Sequence, residues 1–219
     1  MKPAINSLNK KIINCKKCPR LSLYIQKIAK TKVRRFSHEN YWGKPLPGFG
    51  DPNAELLIVG LAPAAHGGNR TGRMFTGDSS GDWVARTLYK NGFSTIPTST
   101  SLNDGFSLIN AYITAVVRCA PPKNKPTTDE FENCLDYLKT ELVVLKRIRV
   151  IVCLGRIAFD TCKKVLDFKK EDFSHGKVIK LDDLSIICSY HPSRQNTQTG
   201  RLSWSQWNSI FFKAKKLLR

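Results

Sequence analysis

The sequence has no apolar run that approaches the ~18 residues of a membrane-spanning helix. The segment Met1–Asn14 is polar and lacks the apolar core of a secretory signal. We therefore expect no membrane association and a cytoplasmic location, in a prokaryotic cell and close to its nucleoid. In such a reducing compartment the seven cysteines are expected to be metal ligands or core residues, not disulfides. Internal repeats and low-complexity tracts are also missing, which excludes a repeat architecture.

Acidic residues are scarce: 17 Asp and Glu stand against 36 Lys and Arg, for a formal net charge of +19. A field of this sign favours a polyanionic partner, above all a nucleic acid. The alternative is a lysine-rich surface that serves solubility or thermal stability. The same scarcity weighs against a metal-dependent nuclease or phosphohydrolase, because those sites need several clustered carboxylates.

Apolar, β-branched segments predict buried strands, and helical patterns separate them. The predicted strands are Leu56–Gly60, Tyr112–Val117, Val150–Leu154 and Leu184–Ser189. This alternation predicts an α/β fold with a central parallel four-stranded sheet and helices on both faces, in a single domain over residues 1–219. Each strand runs into a polar or Gly/Pro-rich segment. Because the carboxyl ends of parallel strands share one edge, a single cleft is expected to collect these segments.

The long loop after the first strand, Leu61–Ser80, has no hydrophobic period and is rich in Gly, Arg, Thr and Asp. Asp78 in this loop is a candidate for orienting a water or stabilising a cation. The alternative is that it caps the following helix, predicted over Asp82–Asn91, but Asp82 suits the cap better and leaves Asp78 free. Phe75 is either a core aromatic or a platform for a planar base, and its loop setting favours stacking.

His191 follows the last strand and precedes a proline. It is either a loop histidine without a chemical role or a neutral donor to an oxyanion on a leaving group. The polar segment Arg194–Thr199 suits contact with a phosphate backbone or insertion into a gap in a duplex, and a hydrated surface loop is the equal alternative. His38, His66 and His175 receive no assignment.

Four of the cysteines pair by spacing, Cys15 with Cys18 and Cys119 with Cys134. Cys134 lies in a helix that a Thr127–Glu130 capping box opens, and the Pro-rich turn after Cys119 lets that helix fold back. Four thiolates suit zinc or a [4Fe–4S] cluster, and spacing does not choose between them. The alternative is that only the C-x-x-C pair is a metal motif. The other cysteines are assigned to the core.

The C-terminal segment resembles a sliding-clamp-binding peptide at Gln206, Ile210, Phe211 and Phe212. The spacing does not fit such a peptide, and an amphipathic helix docked on the domain explains the pattern better. A clamp as partner is therefore weakly supported.

Taken together, VGLAPAAHGGNRTGRMFTGDSSGD, RCAPPKNKPT and YHPSRQNTQTGRL resemble the type B (family 5) uracil-DNA glycosylases of the uracil-DNA glycosylase superfamily. The resemblance covers nearly the whole chain. It implies a three-layer α/β/α sandwich and a [4Fe–4S] cluster on Cys15, Cys18, Cys119 and Cys134, which orders loops near the DNA without taking part in bond breaking. It also implies base excision repair: a deaminated base leaves duplex DNA and its N-glycosidic bond is hydrolysed to give an abasic site. Separately, we expect the protein to be a monomer.

The resemblance also assigns roles to residues. Asp78 would position the water or stabilise the cation, and His191 would donate to the leaving base. Phe75 would stack on that base, whose polar edge would meet the backbone around Gly60, Leu61 and Ala62. DNA contacts are expected from basic and polar side chains in these motifs, namely Arg70, Arg73, Lys123, Lys125, Ser193, Arg194, Gln195 and Asn196.

Two positions depart from the related families. Leu61-Ala62 stands where other families carry an acidic or amide side chain, which leaves catalysis to Asp78. Ala115 stands where related sequences often have an asparagine that tests the pyrimidine edge. Without that polar check we expect a broad substrate range that includes hypoxanthine and 5-hydroxymethyluracil as well as uracil. The rival hypothesis is a non-catalytic iron–sulfur or zinc module that binds nucleic acid.

Overall fold

The structure is a computed structural model that describes residues 2–219. Met1, the first residue of the polar segment Met1–Asn14, lies outside the described residues. The strands are β1 Phe49–Gly50, β2 Leu56–Gly60, β3 Ala111–Ala115, β4 Val150–Leu154, β5 Val178–Leu181 and β6 Leu184–Ser189. The α-helices are α1 Lys2–Ile13, α2 Pro19–Thr31, α3 Gly68–Thr71, α4 Ser79–Asn91, α5 Thr128–Val144, α6 Arg156–Val165, α7 Arg194–Gln198 and α8 Trp204–Leu217. None of these helices combines the length and the apolar character that crossing a bilayer would require.

The strands form one sheet in the order β1-β3-β2-β4-β6-β5. The inner strands β3, β2, β4 and β6 are all parallel, as predicted, and each is almost wholly buried. The prediction missed the two edge strands, β1 and β5, which pair antiparallel with β3 and β6. β1 has only two residues inside a Pro/Gly-rich connector, and the four residues of β5 are half exposed, so neither shows the apolar run of a buried strand.

Helices cover both faces of the sheet, which confirms the three-layer α/β/α sandwich. Side chains alternate along β2, so that Leu57 and Val59 join one core while Leu56 and Ile58 join the other. Helices α1, α2, α5 and α6 supply the first core, and α4 and α8 supply the second. Cys153, Cys162 and Cys188 are fully buried in the first core, as predicted.

The C-terminal helix α8 is docked on the sheet, in agreement with the amphipathic pattern. Trp207, Ile210 and Phe211 are fully buried, and the Trp207 indole donates to the Trp83 carbonyl at 3.1 Å. Gln206 forms a capping box with Ser203. The residues that suggested a clamp peptide are thus mostly engaged within the fold, and the exposed Phe212 remains.

A buried ion pair connects the end of β3 to α5. The Arg118 guanidinium donates to both carboxylate oxygens of Glu141, at 3.0 and 2.5 Å, and Thr114 donates to the same carboxylate at 2.7 Å. Both charged side chains are essentially inaccessible to solvent. Separating the pair would leave a buried charge without a partner, which would lower the stability of the fold. The pair therefore fixes α5 against the strand that leads to Cys119.

Candidate active site

One cavity of about 1430 Å³ opens at the carboxyl edge of the parallel strands. Segments that follow each of the four inner strands line it: Leu61–Gly67 after β2, Ala115 and Pro121 at β3, Leu154–Ala158 at β4, and His191 with Ser193–Gln195 after β6. The expected convergence of the strand ends on a single cleft is therefore confirmed. Phe75, Asp78 and His191 all face this cavity.

Phe75 lies across the end of β2. A Cβ at Gly60 would stand 2.8 Å from Phe75 Cζ, so only glycine lets the ring approach the strand so closely. Phe75 itself adopts a left-handed backbone, with φ of 50°, a conformation that is uncommon for an aromatic residue. Its ring centroid is 5.9 Å from that of His191. The strained backbone thus presents one face of an aromatic ring to the cavity.

Asp78 is the N-cap of α4, and the prediction that Asp82 holds that place was wrong. Asp78 Oδ1 accepts a hydrogen bond from the Gly81 N–H at 2.9 Å, whereas Asp82 lies in the first turn of the helix. The second oxygen, Oδ2, lies against Gly67, where any side chain would collide with it. Capping therefore does not compete with a role in the cavity, because it fixes one oxygen and leaves the other directed at the glycine-rich loop.

Burial raises the pKa of Asp78 above its ordinary value, and the nearby Asp82 adds to the effect. The N–H groups of Gly81 and Ser80 act in the opposite direction, because they stabilise the carboxylate. The group is thus a carboxylate in a poorly solvated setting that backbone donors hold in place, which suits it to binding a cation or a water.

His191 lines the same cavity as Asp78, on the loop after β6. Burial lowers the pKa of its imidazole to about 4, so the ring is neutral at physiological pH. The Asn196 amide donates to the His191 carbonyl at 2.8 Å, and Ser80 donates to the carbonyl of the next residue, Pro192, at 3.1 Å. Since Ser80 lies two residues after Asp78, this bond connects the two candidate catalytic loops.

The backbone near the end of β2 divides its polar groups between the sheet and the cavity. The carbonyls of Gly60 and Leu61 accept from the N–H groups of Val116 and Val117, each at 2.9 Å. Among the described residues the Leu61 and Ala62 N–H groups donate no hydrogen bond to the backbone, and both residues line the cavity. These two N–H groups are available to a ligand, whereas Gly60 lies beneath Phe75 and does not line the cavity.

Arg73 is buried and does not line the cavity, which corrects the expectation that it contacts DNA, whereas Arg70 is buried but lines the cavity. Arg73 is buried, where it pairs with Asp104 at 2.8 Å and donates to Ser99 at 2.8 Å. Arg70 is also buried, with its guanidinium on Glu39 at 2.5 Å and on the Gly77 carbonyl at 2.8 Å. Both arginines brace the loop that carries Phe75 and Asp78.

The other candidate DNA contacts lie around the mouth of the cavity or beside it. Lys123, Lys125, Arg194 and Gln195 are exposed, and all but Lys125 line the cavity. Ser193 also lines it and caps α7 by accepting from the Asn196 N–H at 3.4 Å. The Asn196 side chain is engaged by the His191 carbonyl, so its role in the structure is to support that loop.

The four thiols predicted to bind a metal occupy one region, although they come from distant parts of the sequence. Cys15 follows α1, Cys18 precedes α2, Cys119 follows β3, and Cys134 lies in α5. Burial raises the pKa of Cys119, and the thiols of Cys134, Cys15 and Cys18 raise it further, which is the effect of close neighbours. The pKa of Cys134 rises to about 11 for the same reasons.

The surroundings of these thiols bear on what they could hold. None of them forms a disulfide, and the Asn133 amide donates to Cys18 Sγ at 3.5 Å. Within residues 2–219 no group of three or more His, Cys, Asp or Glu is drawn together closely enough for a metal ion. Four free thiols in one region are the ligand type of zinc and of iron–sulfur clusters.

Several residues that received no assignment from the sequence also line the cavity. His66 does so within the glycine-rich loop, and the Tyr41 hydroxyl lies 3.1 Å from its Nδ1. Arg35, Phe36 and Glu39 reach the cavity from the connector between α2 and β1. The position of His66 inside the longest motif was the available signal, whereas nothing in the connector distinguishes Arg35 from its basic neighbours.

Comparison with known proteins agrees with this arrangement of an α/β/α sandwich and an edge cavity. The family model of the Uracil DNA glycosylase superfamily matches residues 47–213, and the chain belongs to that superfamily. Within it, the chain is 45% identical to the type-5 uracil-DNA glycosylase of Thermus thermophilus over 93% of both chains. It is also 45% identical to the type-5 enzyme of Pyrobaculum aerophilum, over 88% of this chain and 84% of that one. Identity to the type-4 uracil-DNA glycosylase of Archaeoglobus fulgidus is 30%, over 87% and 82% of the two chains.

Proposed function

We propose that this protein is a DNA repair glycosylase that flips uracil and other deaminated bases out of duplex DNA and hydrolyses their N-glycosidic bond. Family membership and the similarity to type-5 uracil-DNA glycosylases support the activity. The observation that carries the proposal is the meeting of Phe75, Asp78 and His191 in one cavity. A protein that only bound nucleic acid would not need a poorly solvated carboxylate and a neutral imidazole in the same cavity.

The reaction separates two charges, and the cavity has a group for each. As the bond between C1′ and the base breaks, the sugar becomes cationic and the base takes the electron pair. Asp78 Oδ2 stabilises that cation or orients the water whose oxygen then bonds to C1′, and the proton that this water loses ends on the departing base anion. The neutral imidazole of His191 donates a hydrogen bond to a carbonyl oxygen of the departing base, where negative charge develops. Phe75 stacks on the flipped base.

The pocket for the base has few polar side chains, which supports a broad substrate range. Ala115 lines the cavity with a methyl group, and Leu61 and Ala62 offer only their backbone N–H groups. Such a pocket selects a base by its shape and by one polar edge. It has no side-chain donor or acceptor of the kind that would strongly reject other bases. The substrates are uracil, hypoxanthine and 5-hydroxymethyluracil, with mispaired bases favoured because they are easier to extrude.

The DNA duplex lies over the mouth of the cavity. Lys123 and Arg194 lie on opposite loops there, and with Lys125 and Gln195 they supply the phosphate contacts or enter the gap that the flipped base leaves. The active species in this proposal is a monomer.

Cys15, Cys18, Cys119 and Cys134 hold a [4Fe–4S] cluster. When bound, it would supply a structural link between the two N-terminal helices, the end of β3 and α5, and no chemistry at the sugar. The proximity of the four thiols, three of which raise the pKa of the fourth, Cys119, supports this assignment. Cys15→Ser is expected to abolish the visible absorbance of the purified protein and to lower its melting temperature; a colourless wild type that contains zinc would contradict the assignment.

Base release is the direct test of the proposed function. Duplexes with a single uracil, hypoxanthine or 5-hydroxymethyluracil are incubated with the protein, and abasic sites are then cleaved with alkali. We expect cleaved product from all three, with uracil opposite guanine faster than uracil opposite adenine. Duplex binding without product would support the non-catalytic module instead, and product from uracil alone would refute the broad range.

A further inference from the structure

His175 lies behind the loop that carries His191, outside the cavity lining. It belongs to the turn between α6 and β5, and this turn is fixed to β6 by the Gly176 N–H, which donates to the Cys188 carbonyl at 2.8 Å. The imidazole Nδ1 of His175 accepts a hydrogen bond from the backbone N–H of Tyr190 at 3.0 Å. Tyr190 is the first residue after β6 and the residue immediately before His191.

This hydrogen bond extends the sheet beyond its last strand pair. β5 begins at Val178, which pairs with Ile187, so no residue of β5 reaches the level of Tyr190. The imidazole nitrogen takes the place of the backbone carbonyl that a longer edge strand would supply. The His175 imidazole thus fixes the N–H of the residue before His191, while the Ser189 hydroxyl donates to the Tyr190 carbonyl at 2.9 Å.

Aromatic contacts hold the two residues in this arrangement. The rings of His175 and Tyr190 are stacked, with centroids 4.8 Å apart and planes 9° from parallel. Phe173 contacts the same tyrosine ring at 6.0 Å, and the Arg201 guanidinium lies 4.5 Å from its centroid. The stack leaves the imidazole little freedom to turn, so Nδ1 stays directed at the Tyr190 N–H.

An acceptor nitrogen carries no proton, so this geometry requires a neutral His175 with its hydrogen on Nε2. The charged group that faces the ring is Lys213 of α8, whose ammonium also donates to the Gly176 carbonyl at 3.2 Å. Lys177, two residues further on, is paired with Glu171 at 2.7 Å. Tyr190 and Arg201 are the titratable groups on the other side of the stack. Burial and Lys213 both lower the pKa of His175, in accord with the neutral form.

We propose that His175 is a positioning residue for His191: its neutral imidazole accepts the Tyr190 N–H and stacks on the Tyr190 ring, which fixes the backbone that presents His191 to the leaving base. The inference rests on the proposed function and deepens it. Protonation of His175 would place a hydrogen on Nδ1, abolish the bond and release the loop. His175 thus makes the geometry of the site sensitive to acid although it touches no substrate.

Two substitutions separate the acceptor from the stacking surface. His175→Phe keeps an aromatic ring against Tyr190 and removes the acceptor. His175→Asn presents an amide oxygen as a possible acceptor and does not titrate. Single-turnover release of uracil is measured at pH 8, together with duplex affinity. We expect His175→Phe to slow release about 10-fold, His175→Asn to remain within about threefold of wild type, and duplex affinity to be unchanged in both.

Amide hydrogen exchange at Tyr190 gives a readout that does not depend on catalysis. The amide is expected to be protected in wild type and in His175→Asn, and to exchange at least 10-fold faster in His175→Phe. If His175→Phe does not fold, the wild-type protein alone provides the test. Exchange of the Tyr190 amide is then measured as a function of pH and corrected for intrinsic exchange, and its protection must fall as His175 is protonated. Equal protection and equal rates in all three proteins, or protection that is constant with pH, would overturn the proposal. A wild type that releases no base would refute the proposed function, while the exchange data would still decide whether His175 holds Tyr190.

Discussion

Asp78 has two separable roles, and substitutions at this position measure each of them. Asp78→Asn keeps an N-cap oxygen for the Gly81 N–H but removes the negative charge of the second oxygen, Oδ2. Asp78→Ala removes both the cap and the charge. Asp82→Asn removes one charge from the same helical turn without touching the cap, and it is the matched control.

The expected magnitudes follow from these contacts. Loss of the carboxylate should slow base release ~10²-fold or more in both Asp78 variants, as is usual for a group of this kind. Asparagine caps a helix as well as aspartate, whereas alanine costs about 1 kcal/mol. For a protein of this size that cost lowers the melting temperature by roughly 2–4 °C. Asp78→Ala should therefore melt earlier than Asp78→Asn although both have lost the same activity.

The charge of Asp78 also affects stability. Because folding raises its pKa, the folded protein retains this proton to higher pH than the unfolded chain does. The resulting stabilisation is present below the unfolded pKa and is lost as pH rises through the folded pKa. At neutral pH the ionised side chain therefore opposes folding, and Asp78→Asn should be at least as stable as wild type.

Single-turnover release of uracil from a duplex, duplex affinity and thermal unfolding are measured on all four proteins. Wild-type turnover in Asp78→Asn would remove Asp78 from the mechanism. Equal melting temperatures in Asp78→Asn and Asp78→Ala would show that the cap contributes nothing. A comparable loss of activity in Asp82→Asn would assign the effect to the local field of the helix N-terminus and not to Oδ2.

Three further predictions concern pH, the aromatic platform and the buried ion pair. Base release should decline in acid at a pH above the ordinary pKa of aspartate, because burial raises the pKa of Asp78, and a rate that stays constant down to that value would contradict this role. Gly60→Ala should slow base release with little change in duplex affinity, since its Cβ would stand 2.8 Å from Phe75 Cζ and displace the ring; wild-type kinetics would show that the ring position is unimportant. Glu141→Gln should lower the free energy of unfolding by about 3–5 kcal/mol in urea, because Arg118 would lose its charged partner, and a loss under about 1 kcal/mol would mean that the buried pair stabilises little.

The strand ends show what the sequence could predict. The buried strands have apolar runs of five or six residues, and their shared direction follows from the helices between them. The meeting of Phe75 and His191 at the carboxyl ends of the parallel strands was therefore predictable without coordinates. The two outermost strands of the sheet, β1 and β5, were not predictable, because they depend on pairing with a neighbour and show no apolar run of their own.

The errors at Asp78 and Arg73, and the unforeseen burial of Arg70, have a common physical origin. Asp78 and Asp82 have equal capping preference, and the choice between them depends on which backbone N–H the fold directs at which oxygen. Likewise, a basic side chain has the same identity whether it faces DNA or a buried carboxylate. Arg70 pairs with Glu39, and Arg73 pairs with Asp104, and each partner lies 31 residues away in the sequence. Local patterns do not contain such distant partners.

The position of Asp78 at a helix N-terminus explains how one cavity can contain a charged carboxylate and a neutral imidazole. Burial acts on both groups and favours the uncharged form of each, which lowers the pKa of His191 to about 4 and raises that of Asp78. Only Asp78 has donors that oppose this effect, because the N–H groups of Gly81 and Ser80 at the start of α4 stabilise its charge. A carboxylate elsewhere in the cavity would lose solvent in the same way but would lack those N–H donors. Its pKa would therefore rise further than that of Asp78. The cap thus opposes the effect of burial on the pKa of Asp78, whereas burial alone acts on the pKa of His191.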